Sequence, residues 1–171
     1  FLFALGILGI GETMADTLAT ELGSLEAIES LRLSDLVEIK LSQAKSLQQH
    51  FAEAPPATVL SGLAPPESMK WCTQVHIQVL AEHFDTLGDM LSAAPQAVAN
   101  TPRVKIEGVG NVLAEKLVTF FHQPHNREVI AKLQQAGVHW AATLVAEPAE
   151  QPLAGKTFVL TGALSQSRDA Y

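Results

Sequence analysis

Residues 105–126, KIEGVGNVLAEKLVTFFHQPHN, set the reading of the whole chain. At their head stands Gly108-Val109-Gly110. Behind it Val112, Leu113, Leu117, Phe120 and Phe121 recur at helical spacing, an apolar face on one helix. Two glycines around one apolar residue, directly ahead of such a helix, predict a tight hairpin opening onto a helix N-terminus. The first turn of a helix carries backbone N–H groups with no intrahelical partner, and a phosphate is their natural occupant. An ordinary loop between packed helices is the plainer reading, since a short glycine motif is weak alone. A second copy, Gly9-Ile10-Gly11, ahead of a similar helix favours the phosphate.

Working outward, residues 1–5 form a short apolar helix and 8–11 the first hairpin. Residues 12–22 form a helix with Met14, Ala15, Leu18, Ala19 and Leu22 on one face, stopped by Gly23. Ser24 caps the next helix, with Ala27 and Ile28 inward. Short helices follow from Ser34 and over 42–51. Residues 54–66, with four prolines, are a connector. Residues 68–84 are a helical region, broken or unbroken; Asp85-Thr86 opens another helix, and 95–100 is one turn. A helix over 126–136 is closed by Gly137. Residues 141–152 have linker composition, and 157–161 are a β run between Gly155 and Gly162. One strand cannot make a domain, so its sheet is expected beyond Tyr171.

The chain has 171 residues, 47% of them hydrophobic and 17% charged, which describes a globular chain rich in helix formers. The net charge of −7 counts against a dedicated nucleic-acid binder. Backbone amides bind phosphate without side-chain charge, so it does not exclude one. The single cysteine, Cys72, allows neither an intramolecular disulfide nor a CxxC zinc site and reads as a buried apolar residue. His122 and His125 have no third ligand beside them. No apolar run reaches the roughly 20 residues of a membrane span. The first ten residues begin with neither Met nor a basic segment, unlike a signal peptide, and the chain reads as a piece of a longer protein.

Two similar units emerge, 1–52 and 60–122, on matches such as Leu18 with Leu80, Ala19 with Ala81, Leu47 with Leu117 and Phe51 with Phe121. Each has two hairpin positions. The outer two hold glycines, at 9–11 and 108–110. The inner two hold Glu38-Ile39-Lys40 and Trp71-Cys72-Thr73, which resist the positive φ that glycine accepts. The inner pair is expected to pack, the outer pair to bind. The outer hairpins should share one face, with the acidic residues elsewhere.

LGIGETMADTLA and EGVGNVLAEKLVTFF resemble helix-hairpin-helix DNA-binding motifs. The wider string, FLFALGI, GSLEAI, FFHQPHNREVI with AGVHW, then LAGKTFVLTGALSQSRD, resembles in that order the C-terminal part of bacterial NAD-dependent DNA ligases. The resemblance implies an all-α fold of tandem helix-hairpin-helix repeats over 1–140. A linker would follow at 141–152, then the first β-strand of an incomplete BRCT domain at 153–171. It also implies a grip on the phosphate backbone of nicked double-stranded DNA across the minor groove, at the hairpins Gly9, Ile10, Gly11 and Gly108, Val109, Gly110. Amides near the glycines would accept phosphates, Thr13 and Asn111 would add side-chain bonds, and Lys105 and Lys116 would add charge.

The family's chemistry adenylates a lysine from NAD, passes AMP to the 5′-phosphate at a nick and seals it. The KxDG lysine motif and the zinc-binding cysteines are absent here, so no catalytic residue is assigned. NAD, Mg and Zn are expected elsewhere in the full-length protein. The implied setting is the bacterial cytoplasm, on the nucleoid, in replication and repair, with the ligase's own catalytic domains as partners and no membrane. The departure is residues 32–104, which read as an inserted, diverged copy of the repeat. The competing reading, a protein-interaction or spacer module within a DNA repair protein, fits that insert best, with a protein partner of its own.

Overall fold

The computed structural model describes residues 1–139. The expected linker and β-strand lie outside the described residues. The described chain is all-α. Its helices are α1 (Glu12–Leu22), α2 (Leu25–Glu29), α3 (Leu33–Leu36), α4 (Leu41–Phe51), α5 (Gln74–Ala81), α6 (Leu87–Ser92), α7 (Pro95–Val98), α8 (Asn111–His122) and α9 (Pro124–Gln135). Two 3-10 turns, Leu2–Leu5 and Leu60–Gly62, join them. Extended pairing among the described residues is limited to two isolated antiparallel bridges, Ile39 with Asn100 and Val59 with Thr86.

Local chemistry explains most boundaries. Gly23 ends α1 at φ 75°, a conformation that side chains resist. Ser24 caps α2, its Oγ accepting from the Ala27 N–H at 3.1 Å. Thr86 and Asp89 cap each other reciprocally at the start of α6: the Thr86 N–H donates to Asp89 Oδ2 at 3.0 Å, and the Asp89 N–H to Thr86 Oγ1 at 3.2 Å. Pro95 and Pro124 open α7 and α9, where a missing N–H costs nothing.

Three expectations are corrected. The 68–84 region is helical only over Gln74–Ala81. Ahead of it the chain folds into successive turns, the Met69 N–H donating to the Pro66 carbonyl at 3.0 Å and the Cys72 N–H to the Met69 carbonyl at 2.8 Å. The last helix starts at Pro124, earlier than residue 126. Val112 is not on the apolar face of α8: it is 66% exposed, and the buried stripe is Ala114, Leu117, Val118 and Phe121.

That stripe makes α8 the hub. It packs against α2, α3, α5 and α9, while α4 packs against α6 and α7. Leu18, Leu47, Leu60, Ile77, Met90, Leu117 and Phe121 are sealed from solvent in one core. Each such burial stabilises by about 2 kcal/mol. The C-terminal end of α8 is closed by α9: Asn126 Nδ2 donates to the Phe120 carbonyl at 3.0 Å and Arg127 Nε to the Phe121 carbonyl at 2.6 Å. The FFHQPHNR string thus has a structural cause. Two side chains of one helix satisfy orphan carbonyls of the helix before it.

Candidate nucleic-acid interface

The two glycine turns are built alike. Gly9 and Gly108 take φ 94° and 79°, which only glycine adopts freely. The next N–H closes each turn, from Ile10 to the Ile7 carbonyl at 2.9 Å and from Val109 to the Ile106 carbonyl at 3.1 Å. Gly11 and Gly110 then sit extended as the N-caps of α1 and α8, and their carbonyls accept from Ala15 and Ala114, each at 2.9 Å. No side chain caps either helix. The first-turn amides of Gly11 to Met14 and of Gly110 to Leu113 have no acceptor within the described residues.

The turns also interlock. A Cβ on Gly9 would stand 3.3 Å from Leu113 Cδ1, and a Cβ on Gly108 would stand 2.7 Å from Met14 Cε. Met14 and Leu113 are the third residues of α1 and α8, so each glycine seats the same position of the opposite helix. This reciprocal contact brings the two glycine turns against each other. One groove touches both turns, lined by Gly11, Glu12, Thr13, Met14 and Thr17 from one side and Glu107 and Gly108 from the other.

The residues singled out in the sequence gather here with differences. Ile10 is buried and Val109 half-buried, and both spend their N–H groups inside their own turns. They build the hairpins and offer no free backbone donor of their own. Thr13 is exposed, its carbonyl accepting from the Thr17 hydroxyl at 3.0 Å. Lys105 is exposed beside Gly108–Asn111 in a groove with Glu38 and Glu107. Lys116 is half-buried in the second turn of α8. Neither lysine takes part in an ion pair; among the described residues these are Arg103–Asp35 at 3.3 Å and Lys132–Glu128 at 2.7 Å. The expected segregation of acidic residues fails, because Glu12 and Glu107 are exposed on the two hairpins themselves.

At the inner turns the cap amides are spent within the chain. Ile39 is buried, and its N–H and carbonyl pair with Asn100 at 2.8 Å each. Asn100 Nδ2 also donates to the carbonyls of Ser34 at 2.8 Å and Val37 at 2.6 Å. The Lys40 N–H, at the cap of α4, donates to Gln43 Oε1 at 2.8 Å. At the cap of α5, the Thr73 N–H donates to His76 Nδ1 at 3.1 Å. Burial pushes the Cys72 thiol up to about 11, keeping it an unreactive apolar group. In front of α3, the Glu82 carboxylate accepts from the N–H groups of Leu33 and Ser34, both at 3.0 Å, so the chain supplies its own anion there.

Asn100, Glu82 and His76 carry no role in the sequence reading. Two of the caps did leave a sequence signal. Lys40-x-x-Gln43 and Thr73-x-x-His76 have capping-box spacing, with histidine in the usual Glu or Gln place. Asn100 and Glu82 reach partners more than forty residues away, which no local pattern encodes. Among the described residues no group of three or more His, Cys, Asp or Glu is arranged to hold a metal. No described helix is long and apolar enough to cross a membrane.

Comparison with known proteins bears on part of the chain. Residues 1–57, from the first turn through α4, match the family model of the helix-hairpin-helix motif. A protein called DNA ligase from Alkalilimnicola ehrlichii is 49% identical over 92 residues, 54% of this chain. The chain spans 13% of the length of that curated relative. No solved structure matches the chain. Residues 1–57 thus carry a helix-hairpin-helix motif, and part of the chain is similar to a DNA ligase.

Proposed function

We propose that the two glycine hairpins hold duplex DNA by its backbone phosphates on the minor-groove side, without reading sequence. The chain would be a non-catalytic part of a bacterial NAD-dependent DNA ligase that seals nicks in replication and repair. The observation that carries this is the interlock of Gly9 with Leu113 and Gly108 with Met14. It puts two open sets of helix amides next to each other, as two phosphates of one duplex require. Thr13 and Asn111 add donors at the rim, and Lys105 adds charge where the −7 chain most needs it. Lys116, one turn further along α8, adds charge as well.

Residues that adenylate, and seats for NAD, Mg and Zn, belong to other parts of the full-length protein, whose catalytic domains are then partners of this chain. Its setting is the bacterial cytoplasm. The second reading, a protein-interaction or spacer role, is favoured by one observation: the inner turns of 32–104 are internally satisfied at Ile39, Lys40 and Thr73.

The test is Gly11→Ala and Gly110→Ala, singly and together, titrated against a nicked duplex by fluorescence anisotropy. Both glycines have φ that alanine adopts, and a Cβ on either meets nothing within 4 Å. The fold should persist, while the added methyl keeps a phosphate from the amides. Tighter or unchanged binding by the double variant removes these turns from the interface.

A further inference from the structure

Among the described residues, His76 is the one polar side chain buried in the core, 4% exposed. It sits at the third position of α5, behind the glycine-free turn at 71–73, yet it reaches across to the first residue of α8. Its Nδ1 lies 3.1 Å from the Thr73 backbone nitrogen, which can only donate, and 3.0 Å from the Thr73 hydroxyl, which can donate or accept. A lone pair on Nδ1 suits both neighbours, whereas a proton there would face the backbone N–H. Burial holds the ring's pKa below the usual histidine value and keeps it neutral. A neutral ring with an accepting Nδ1 carries its proton on Nε2.

Nε2 lies 3.4 Å from Asn111 Nδ2. Two donors cannot bond, and an amide's oxygen and nitrogen exchange places by a half-turn. Turned over, Asn111 Oδ1 accepts from Nε2–H, and the NH2 group lies on the far side. Asn111 lines the groove that holds Lys105, Gly108 and Gly110. The rings of Trp71 and His76 meet edge to face, 5.5 Å between centroids at 90°, a favourable arrangement for aromatic pairs.

We propose that His76 is a positioning residue: it turns the Asn111 amide so that its NH2 donor faces a phosphate held in front of Gly110. The turn at 71–73 then serves the intact hairpin at 108–110 by carrying the histidine that aims its donor. This inference rests on the DNA-binding reading above.

The test uses the whole chain. Long-range 1H–15N NMR should show the His76 ring as the Nε2–H tautomer at neutral pH; a ring protonated mainly on Nδ1 overturns the proposal. In anisotropy titrations with a nicked duplex, His76→Leu and Asn111→Ala should each weaken binding about three- to tenfold, as for one hydrogen bond. The double variant should lose no more than either alone, and additive losses overturn the coupling. His76→Gln keeps an acceptor and a donor on one amide, so it restores the cap and the contact. It should bind like the parent chain; binding as weak as Asn111→Ala, with the fold intact by circular dichroism, overturns the proposal even if His76→Leu unfolds. Failure of the DNA reading looks different. Gly110→Ala would then bind like the parent chain, while the tautomer is measured with no DNA present.

Discussion

The turn before α1 and the turn before α4 both hand the chain from a short helix to an eleven-residue one, and both belong to the segment that matches the helix-hairpin-helix model. At the first, Gly9 takes positive φ and the amides ahead of α1 stay open. At the second, Ile39 drives its side chain into the core, Asn100 takes both of its backbone groups, and Gln43 takes the Lys40 N–H. The same contrast separates the turns before α8 and α5. What differs is narrow: the positive φ at glycine and the cap N–H, which is open at Gly11 and Gly110 but spent on Gln43 and His76 at Lys40 and Thr73. The amides of Leu41 to Gln43 behind the Lys40 cap have no acceptor among the described residues, as in α1.

The strongest challenge to this contrast is Gly108→Val. A β-branched residue at φ 79° facing Met14 Cε at 2.7 Å should cost about 3 kcal/mol of stability. It should also separate the two hairpins. Urea unfolding reads the first effect and anisotropy at low denaturant the second. A variant that binds DNA like the parent would show that the interlock is not needed.

Next comes Asn100→Ala on the inner side. It removes both donors from the carbonyls of Ser34 and Val37, a loss of about 2 kcal/mol for groups left unsatisfied. Affinity for DNA should stay within about twofold, the scatter expected when no direct contact is lost. A tenfold drop would make the inner turn part of the interface. The finest comparison sets Lys105→Ala against Lys40→Ala. The first should flatten the slope of log affinity on log salt by about 0.9, the second should leave it unchanged. Equal slopes for the two variants would mean that neither lysine, or both, meets phosphate.

Much of this was legible in the sequence for a physical reason. Gly9 and Gly108 stand where a turn needs positive φ, and the spacing of Ala15, Leu18 and Leu22 fixes α1 to its observed ends. Residues 68–73 misled because Ser, Met, Lys and Trp are compatible with a helix, and only the Thr73 cap and the turns ahead of it say otherwise. Val112 fits the apolar spacing of α8, yet it sits in the first turn, where the helix projects past the core. The pairing of Met14 with Gly108 and the reach of Asn100 and Glu82 are tertiary facts with no local signature. The acidic residues on the hairpins were visible as letters. Their placement beside the open amides was not, because a net charge carries no position.

The closure of α8 by Asn126 and Arg127 has an electrical consequence. A helix behaves as a rod with about half a positive charge at its start and half a negative charge at its end. In α8 the negative pole is bonded to an amide and a guanidinium, so its field is largely quenched. The positive pole at Gly110 is not opposed by any group of the same helix end. On a chain of net charge −7 this pole does not act alone: Lys105, Glu38 and Glu107 line the same groove, so its field is set against two nearby carboxylates, while more distant acidic residues are screened over a Debye length of about 8 Å at physiological salt.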